Sequence, residues 1–309
     1  MTTLIVTTND ADQTLINYLK KVFKTLPLSK IYHLFRTKKI RVNNKTITDF
    51  KYRLQENDLI VIYESNLVIN YQPEKIAKQP AIELLYEDDN FLIVNKDHNI
   101  VVHQPYGPCL DNMVKYYLQE KYPKQKREQT FNISHQYRLD KLTKGLIIYP
   151  KNKITQNTFH NAAKKGQIIK KYFAVCAGQL TKNLNISGYI SHDEAAKKMK
   201  FSLEPHEQSK RCSTIFTPIF STKKFTLVEC QLITGRKHQI RSTLQFLNLP
   251  VVGDTKYGSM IITPNKISLF AYYLAFRELQ EPLTYLNDQN FMIKNLKTNL
   301  IKQIKKEKW

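Results

Sequence analysis

Residues 135–149, HQYRLDKLTKGLIIY, carry Arg138 and Asp140 in a polar stretch that turns into an apolar run. The run from Gly145 to Tyr149, closed by Pro150, reads as a central strand. Asp140 therefore sits in the loop feeding a core strand, fixed by scaffold yet open to a substrate. Residues 171–178, KYFAVCAG, form an alternating strand with Tyr172 near its start. Residues 234–246, TGRKHQIRSTLQF, follow the strand FTLVECQLI and carry Arg236, His238 and Arg241. Singly these are ordinary residues: an Asp among bases is most often a solvated loop residue, and a strand Tyr packs a core. A working carboxylate has a stricter need. It must stay ionised where water is excluded; burial raises its pKa, and a cation within about 4–6 Å lowers it.

Together the three stretches resemble the signatures of the RluA-type pseudouridine synthases, approximately H-R-L-D-x-x-T-S-G, K-x-Y and T-G-R-x-H-Q-I-R. Here they read Tyr137-Arg138-Leu139-Asp140-Lys141-Leu142-Thr143-Lys144-Gly145, Lys170-Lys171-Tyr172, and Thr234-Gly235-Arg236-Lys237-His238-Gln239-Ile240-Arg241. Tyr137 and Lys144 stand where the family pattern has His and Ser. The likeness covers nearly the whole chain and is closest to the members acting on large-subunit ribosomal RNA. It implies isomerisation of uridine to pseudouridine in structured RNA, on a base flipped out of its helix. Asp140 would be the catalytic carboxylate, as nucleophile or as the group stabilising charge at the sugar. Arg241 would be its cationic partner. Tyr172 would stack beneath the uracil and serve acid–base work, and Arg138 would fill the gap left by the flipped base. His238 reads as a structural hydrogen-bond donor. The same chemistry on transfer RNA, and a non-catalytic ribosome assembly factor, are the alternatives.

The elements that must hold these residues follow from pattern. Ile82 to Lys96 reads as two strands around an Asp-Asp-Asn turn and resembles the family's L-Y-E-D-x-x-x-x-V-x-K-P-x-G. Asp97 replaces its proline and Asn99 its glycine, and Asn tolerates the left-handed backbone that a glycine would adopt. Residues 111–122 and 152–165 read as helices, and 123–130 as a basic loop. Residues 191–210 read as an RNA-facing loop before Lys210 and the strand entered at Ser209 to Thr214. A helix begins after Thr234-Gly235; at about 100° per residue, His238, Arg241 and Gln245 share one face, and Ile240, Leu244 and Leu247 the face docked on the core. LPVVGDTKYG at 249–258 matches the family's H-P-I-x-G-D-x-x-Y-G with Leu249 at the His position. Strands are expected at 267–275 and 282–285, then a Lys-rich helical tail at 294–308.

Residues 12–72 read as a separate front unit and 80–300 as the catalytic domain, with a surface linker over 64–80. Leu15, Tyr18, Leu19, Val22 and Phe23 have helical spacing, and Ser29 is a plausible cap for a second helix burying Ile31, Leu34 and Phe35. The pattern resembles the RNA-binding domain first described in ribosomal protein S four. That resemblance implies phosphate contacts from Lys30, Arg36, Lys38, Lys39, Arg41 and Lys45. The expected fold is α+β: a mixed, mostly antiparallel catalytic sheet preceded by a small α/β RNA-binding domain.

Charge supports a polyanionic partner. Among 309 residues, 48 Lys and Arg face 26 Asp and Glu, a net charge of +22 spread along the chain. No stretch approaches 18 consecutive apolar residues and none at Met1 resembles a signal peptide, so a cytoplasmic RNA partner is expected rather than a membrane. Cys109, Cys176, Cys212 and Cys230 lack C-x-x-C spacing, and no H-x-x-x-H pair occurs. Buried thiols, no metal, no cofactor and a monomer are the expectations. For RNA contacts within the catalytic domain, Lys210 and Arg236 join Arg138.

Overall fold

The computed structural model describes residues 1–65, 67–69, 76–122 and 131–307. The basic loop expected at 123–130 and the central part of the linker, 70–75, lie outside the described residues. Two sheets form, each over its own core.

The smaller sheet is built from β1 (Thr2–Ile5), then, after helices α1 (Leu15–Val22) and α2 (Leu28–Arg36), from β2 (Ile40–Val42), β3 (Lys45–Thr46) and β4 (Leu59–Ile62). Its order is β1-β4-β2-β3, antiparallel throughout, so the sheet begins at Thr2, ahead of the start expected at residue 12. The helices bury Leu15, Leu19, Val22, Ile31, Leu34 and Phe35 against Ile40, Ile60 and Ile62. Helix α2 starts at Leu28 with Pro27 before it; the fixed proline φ makes it a natural helix start, and Ser29 lies within the first turn. Lys38 adopts the left-handed backbone (φ 56°) in the turn onto β2.

The larger sheet takes β5 (Leu84–Glu87), β6 (Phe91–Lys96), helix α3 (Leu110–Lys121), β7 (Lys144–Pro150), helix α4 (Lys153–Lys164), β8 (Ile168–Ala177), β9 (Leu184–Asp193), β10 (Lys198–Ser202), β11 (Lys210–Ser221), β12 (Phe225–Leu232), helix α5 (Gln239–Phe246), β13 (Leu269–Phe276), β14 (Asn290–Met292) and helix α6 (Leu296–Lys306). Strand order is β10-β9-β11-β12-β8-β13-β7-β6-β5, with β14 on β13. Among the described residues only β13 and β7 pair in parallel. The fold is thus α+β with a mixed, mostly antiparallel sheet. Central strands are buried on both faces, which explains the unbroken apolar run of β7. One face packs Tyr172, Ala174 and Cys176 with α3 and α5; the other packs Phe173 and Val175 with Leu300 and Ile304 of α6. The two cores meet at α4, where Ile154 packs on the smaller one and Asn157 donates a hydrogen bond to Asp12.

Four local expectations need correction. Residues 191–202 belong to a hairpin, β9 with β10, in which Gly188, Ile190 and Phe201 turn inward. The segment 282–285 is not a strand; a 3-10 turn occupies Thr284–Leu286 and the strand follows at Asn290–Met292. The tail helix starts at Leu296 rather than at 294, and its Leu300 and Ile304 seal the sheet. The helix expected after Gly235 starts only at Gln239.

Candidate active site

The loop at 138–143 is held by the strand it feeds. Gly145 has φ +139°, and a Cβ there would lie 2.3 Å from the Ala271 carbonyl oxygen of β13, so only glycine admits the parallel pairing with β7. The neighbouring loop 97–100 is tied to it three ways. The Lys96 ammonium, fully buried, donates to the carbonyls of Asp97 (2.8 Å), Ile100 (3.0 Å) and Lys141 (3.1 Å). His98 Nδ1 bonds the Leu142 carbonyl at 2.7 Å. Lys144 and Asp97, two of the positions that depart from the family pattern, pair at 3.2 Å. Burial pulls Lys96 down to about 8, against the opposing pull of Asp140 and Asp97. Asn99 takes φ 61°, the backbone expected of it.

The segment 234–238 is a turn held by one side chain. Gln239 Oε1 accepts from the Arg236 amide (2.9 Å) and the Thr234 hydroxyl (2.9 Å), while its Nε2 donates to the Ser213 carbonyl and Thr214 Oγ1. His238 then enters α5 in the left-handed conformation, φ 53°. The helix is buried on all sides of its first turns, Gln239 to Leu244, rather than on one face. Arg241 therefore forms part of the cleft wall from an almost wholly buried position, 4% exposed.

Arg241 holds two carboxylates. Its Nε and Nη2 donate to both oxygens of Asp254 at 2.6 and 2.9 Å, and its Nη1 reaches Asp140 Oδ2 at 3.0 Å. Its guanidinium also lies over the Tyr257 ring, 4.7 Å from the centroid. The other Asp140 oxygen faces His238 Nε2 at 3.5 Å. The Tyr257 hydroxyl accepts from the Met199 amide (3.0 Å), so its proton goes to His238 Nδ1 at 2.7 Å. That leaves the Nε2 proton directed at Asp140. Burial, with Arg241, Lys237 and Lys256 nearby, pushes His238 down to about 4 against the pull of Asp140, so the ring is neutral at neutral pH. Asp140 thus has Arg241 bonded to one oxygen and the His238 ring near the other, with its side chain 24% exposed to the cleft.

The cleft, of about 860 Å³, is lined by Asp140, Tyr172, Arg241, Arg138, Arg236 and His238, among others. The three expected catalytic residues meet there. Burial and the Asp140 charge raise the Tyr172 phenol far above its usual value, so it stays protonated at neutral pH. Arg138 and Arg236 are exposed at the mouth; Lys210, exposed at the start of β11, is not part of the lining. On the smaller sheet, Lys30 and Lys39 both pair with Glu64 and hold it down to about 2. Arg41 lies over the Tyr63 ring, and Arg36, Lys38 and Lys45 are exposed. Asp254 and Tyr257 carry site geometry that sequence reasoning left inside a core-completing turn; the motif GDTKYG was their signal.

Residues 90–246 match the family model described as RNA pseudouridylate synthase. A Mycoplasma capricolum protein, named as an uncharacterized RNA pseudouridine synthase, is 43% identical over 300 residues, covering 96% of this chain and 98% of the relative. The ribosomal large subunit pseudouridine synthase C of Rickettsia typhi is 28% identical over 268 residues, covering 82% and 85%. Among solved structures, human RNA Pseudouridylate Synthase Domain Containing 4 superposes with a TM-score of 0.57 at 20% identity, over 72% of this chain and 93% of that one.

Proposed function

Because the chain belongs to the RNA pseudouridylate synthase family, and is an isomerase acting on RNA, we propose that it converts specific uridines of large-subunit ribosomal RNA to pseudouridine, with Asp140 as the working carboxylate. The reaction breaks the N1–C1′ bond, turns the uracil and rejoins it through C5, on a base flipped out of its helix. One observation supports the assignment of Asp140: it is the partly exposed carboxylate of the cleft, held by the Arg241 guanidinium at 3.0 Å. Arg241 aims that carboxylate, and Tyr172 supplies a flat, protonated phenol beneath the base. Arg138 at the mouth is the planar cation that occupies the place vacated in the helix.

The ribosomal substrate is supported by the names of the relatives and by the basic front unit. Arg36, Lys38, Arg41 and Lys45 are its best-placed phosphate contacts, since Lys30 and Lys39 already share Glu64. Mapping pseudouridines in total RNA from cells with and without this protein tests the reading. Loss of one or more large-subunit pseudouridines is expected. Loss confined to transfer RNA would move the substrate, and no loss anywhere would overturn the proposal.

A further inference from the structure

Lys170 and Tyr172 lie two residues apart on β8, so both leave the same face of the sheet toward the cleft. The buried cations of the cleft, and the next lysine on the strand, are matched: Arg241 by two carboxylates, Lys96 by three carbonyls, and Lys171 by Glu229 at 3.0 Å. Lys170 is different. It is half-buried, and among the described residues its ammonium has no hydrogen-bond or ion-pair partner. Only the face of Tyr137 supports it, with the ring centroid 4.8 Å away. That ring is itself pinned, since its hydroxyl donates to the Leu146 carbonyl at 2.8 Å. On the other side stands Gly235, whose missing Cβ would lie only at ordinary contact distance, 3.8 Å, from Lys170 Nζ. Burial alone pulls Lys170 below the usual lysine range, as for a cation without a counter-charge. Holding an unmatched cation in a partly dehydrated wall weakens the fold, and an entering anion would offset that penalty.

We propose that Lys170, seated on the Tyr137 ring, is the binding site for an anionic oxygen of the RNA substrate. The inference rests on the reading of this cleft as the seat of isomerisation. Two oxygens of that chemistry come within the substrate's own structure. One is the phosphate flanking the flipped uridine. The other is a carbonyl oxygen of the uracil: when the N1–C1′ bond breaks, its electron pair leaves with the base, and the charge spreads onto those oxygens.

The test uses the full chain, a synthetic large-subunit RNA segment on which the parent forms pseudouridine, and the variants Lys170→Met and Lys170→Arg. Three quantities are read: affinity against salt, single-turnover rate at saturating enzyme, and Tm. Lys170→Met should keep or raise Tm while function falls at least about tenfold; Lys170→Arg should retain most of it. A weakened affinity whose log–log salt slope is smaller by about 0.7–0.9 identifies the phosphate. An unchanged affinity with a slower saturated rate identifies the uracil oxygen. Affinity and rate both within twofold of the parent overturn the proposal, as does a loss accompanied by a lower Tm, which would assign Lys170 to packing. An Asp140→Asn variant as fast as the parent would instead refute the underlying reading of the cleft.

Discussion

Replacing Arg241 with Met removes the charge that two carboxylates share while nearly keeping its volume. The two carboxylates lose unequally. Asp254 is 1% exposed and its carboxylate oxygens have Arg241 as their hydrogen-bond partner, so the change strands a buried charge. Removing one member of a buried pair costs about 3–5 kcal/mol. Asp140 is partly solvated and keeps His238 beside it, so its share of the stability loss is about 1 kcal/mol or less. With an unfolding entropy of about 2.1 cal/mol/K per residue, 3–5 kcal/mol corresponds to a fall in Tm of roughly 5–8 °C for a chain of this length. Activity should fall by more than about tenfold, or about 1.4 kcal/mol, because Asp140 is no longer aimed. Adding Asp254→Asn to Arg241→Met removes the stranded charge. That double variant should recover most of the lost Tm and none of the lost rate. Scanning calorimetry and single-turnover pseudouridine formation read the two effects separately. A single variant melting within about 1 °C of the parent, or a double variant no more stable than the single, would refute the buried Arg241–Asp254 pair as the anchor of the site.

Asp140→Asn should abolish isomerisation with little change in RNA affinity or Tm; a single-turnover rate within about tenfold of the parent contradicts its catalytic role. His238 is lowered by burial to about 4, so the unfolded chain binds more protons between about pH 6.5 and 4, and the stability this ring allows is complete above that window and lost as pH falls through it. Asp140, Arg241, Lys237, Lys256 and Tyr257 all face the ring, and His238→Gln should flatten the fall of Tm across that window; equal slopes for parent and variant count against a neutral buried ring. Changing Arg36, Lys38, Arg41 and Lys45 together to Gln should weaken RNA binding and lower the salt slope by about 3, whereas an unaltered slope would show that the front unit does not touch phosphate. Lys144→Ala and Asp97→Ala should each cost about 1 kcal/mol or less in Tm-derived stability, with a double-mutant coupling of a few tenths, since this pair is partly exposed.

The sequence by itself determined the class of fold and marked out the candidate site residues. Asp140, Tyr172 and Arg241 each stand in a local motif whose residue types and order are readable without coordinates. The central strand was readable too, because a strand buried on both faces has no polar alternation to obscure it. Helix α1 was legible because its apolar spacing is a local signal. The boundaries of short elements were less so: whether 282–285 extends depends on what packs against Leu283 and Leu286, which are distant in sequence.

Only the tertiary structure decided how Arg241 is used. Helical periodicity placed it on a polar face, but polar periodicity cannot tell a solvated face from one that meets Asp254 and Tyr257 in the interior. It also decided what the departures from the family pattern do. Asp97 and Lys144 lie far apart in sequence and pair across two loops, and Tyr137 becomes the seat of Lys170. Such outcomes depend on the distances between groups that the chain brings together from remote positions, and charge–charge and cation–ring energies fall within a few ångströms. Residue types and spacing carry the groups; the packing of β7, β8 and β13 sets which of them touch.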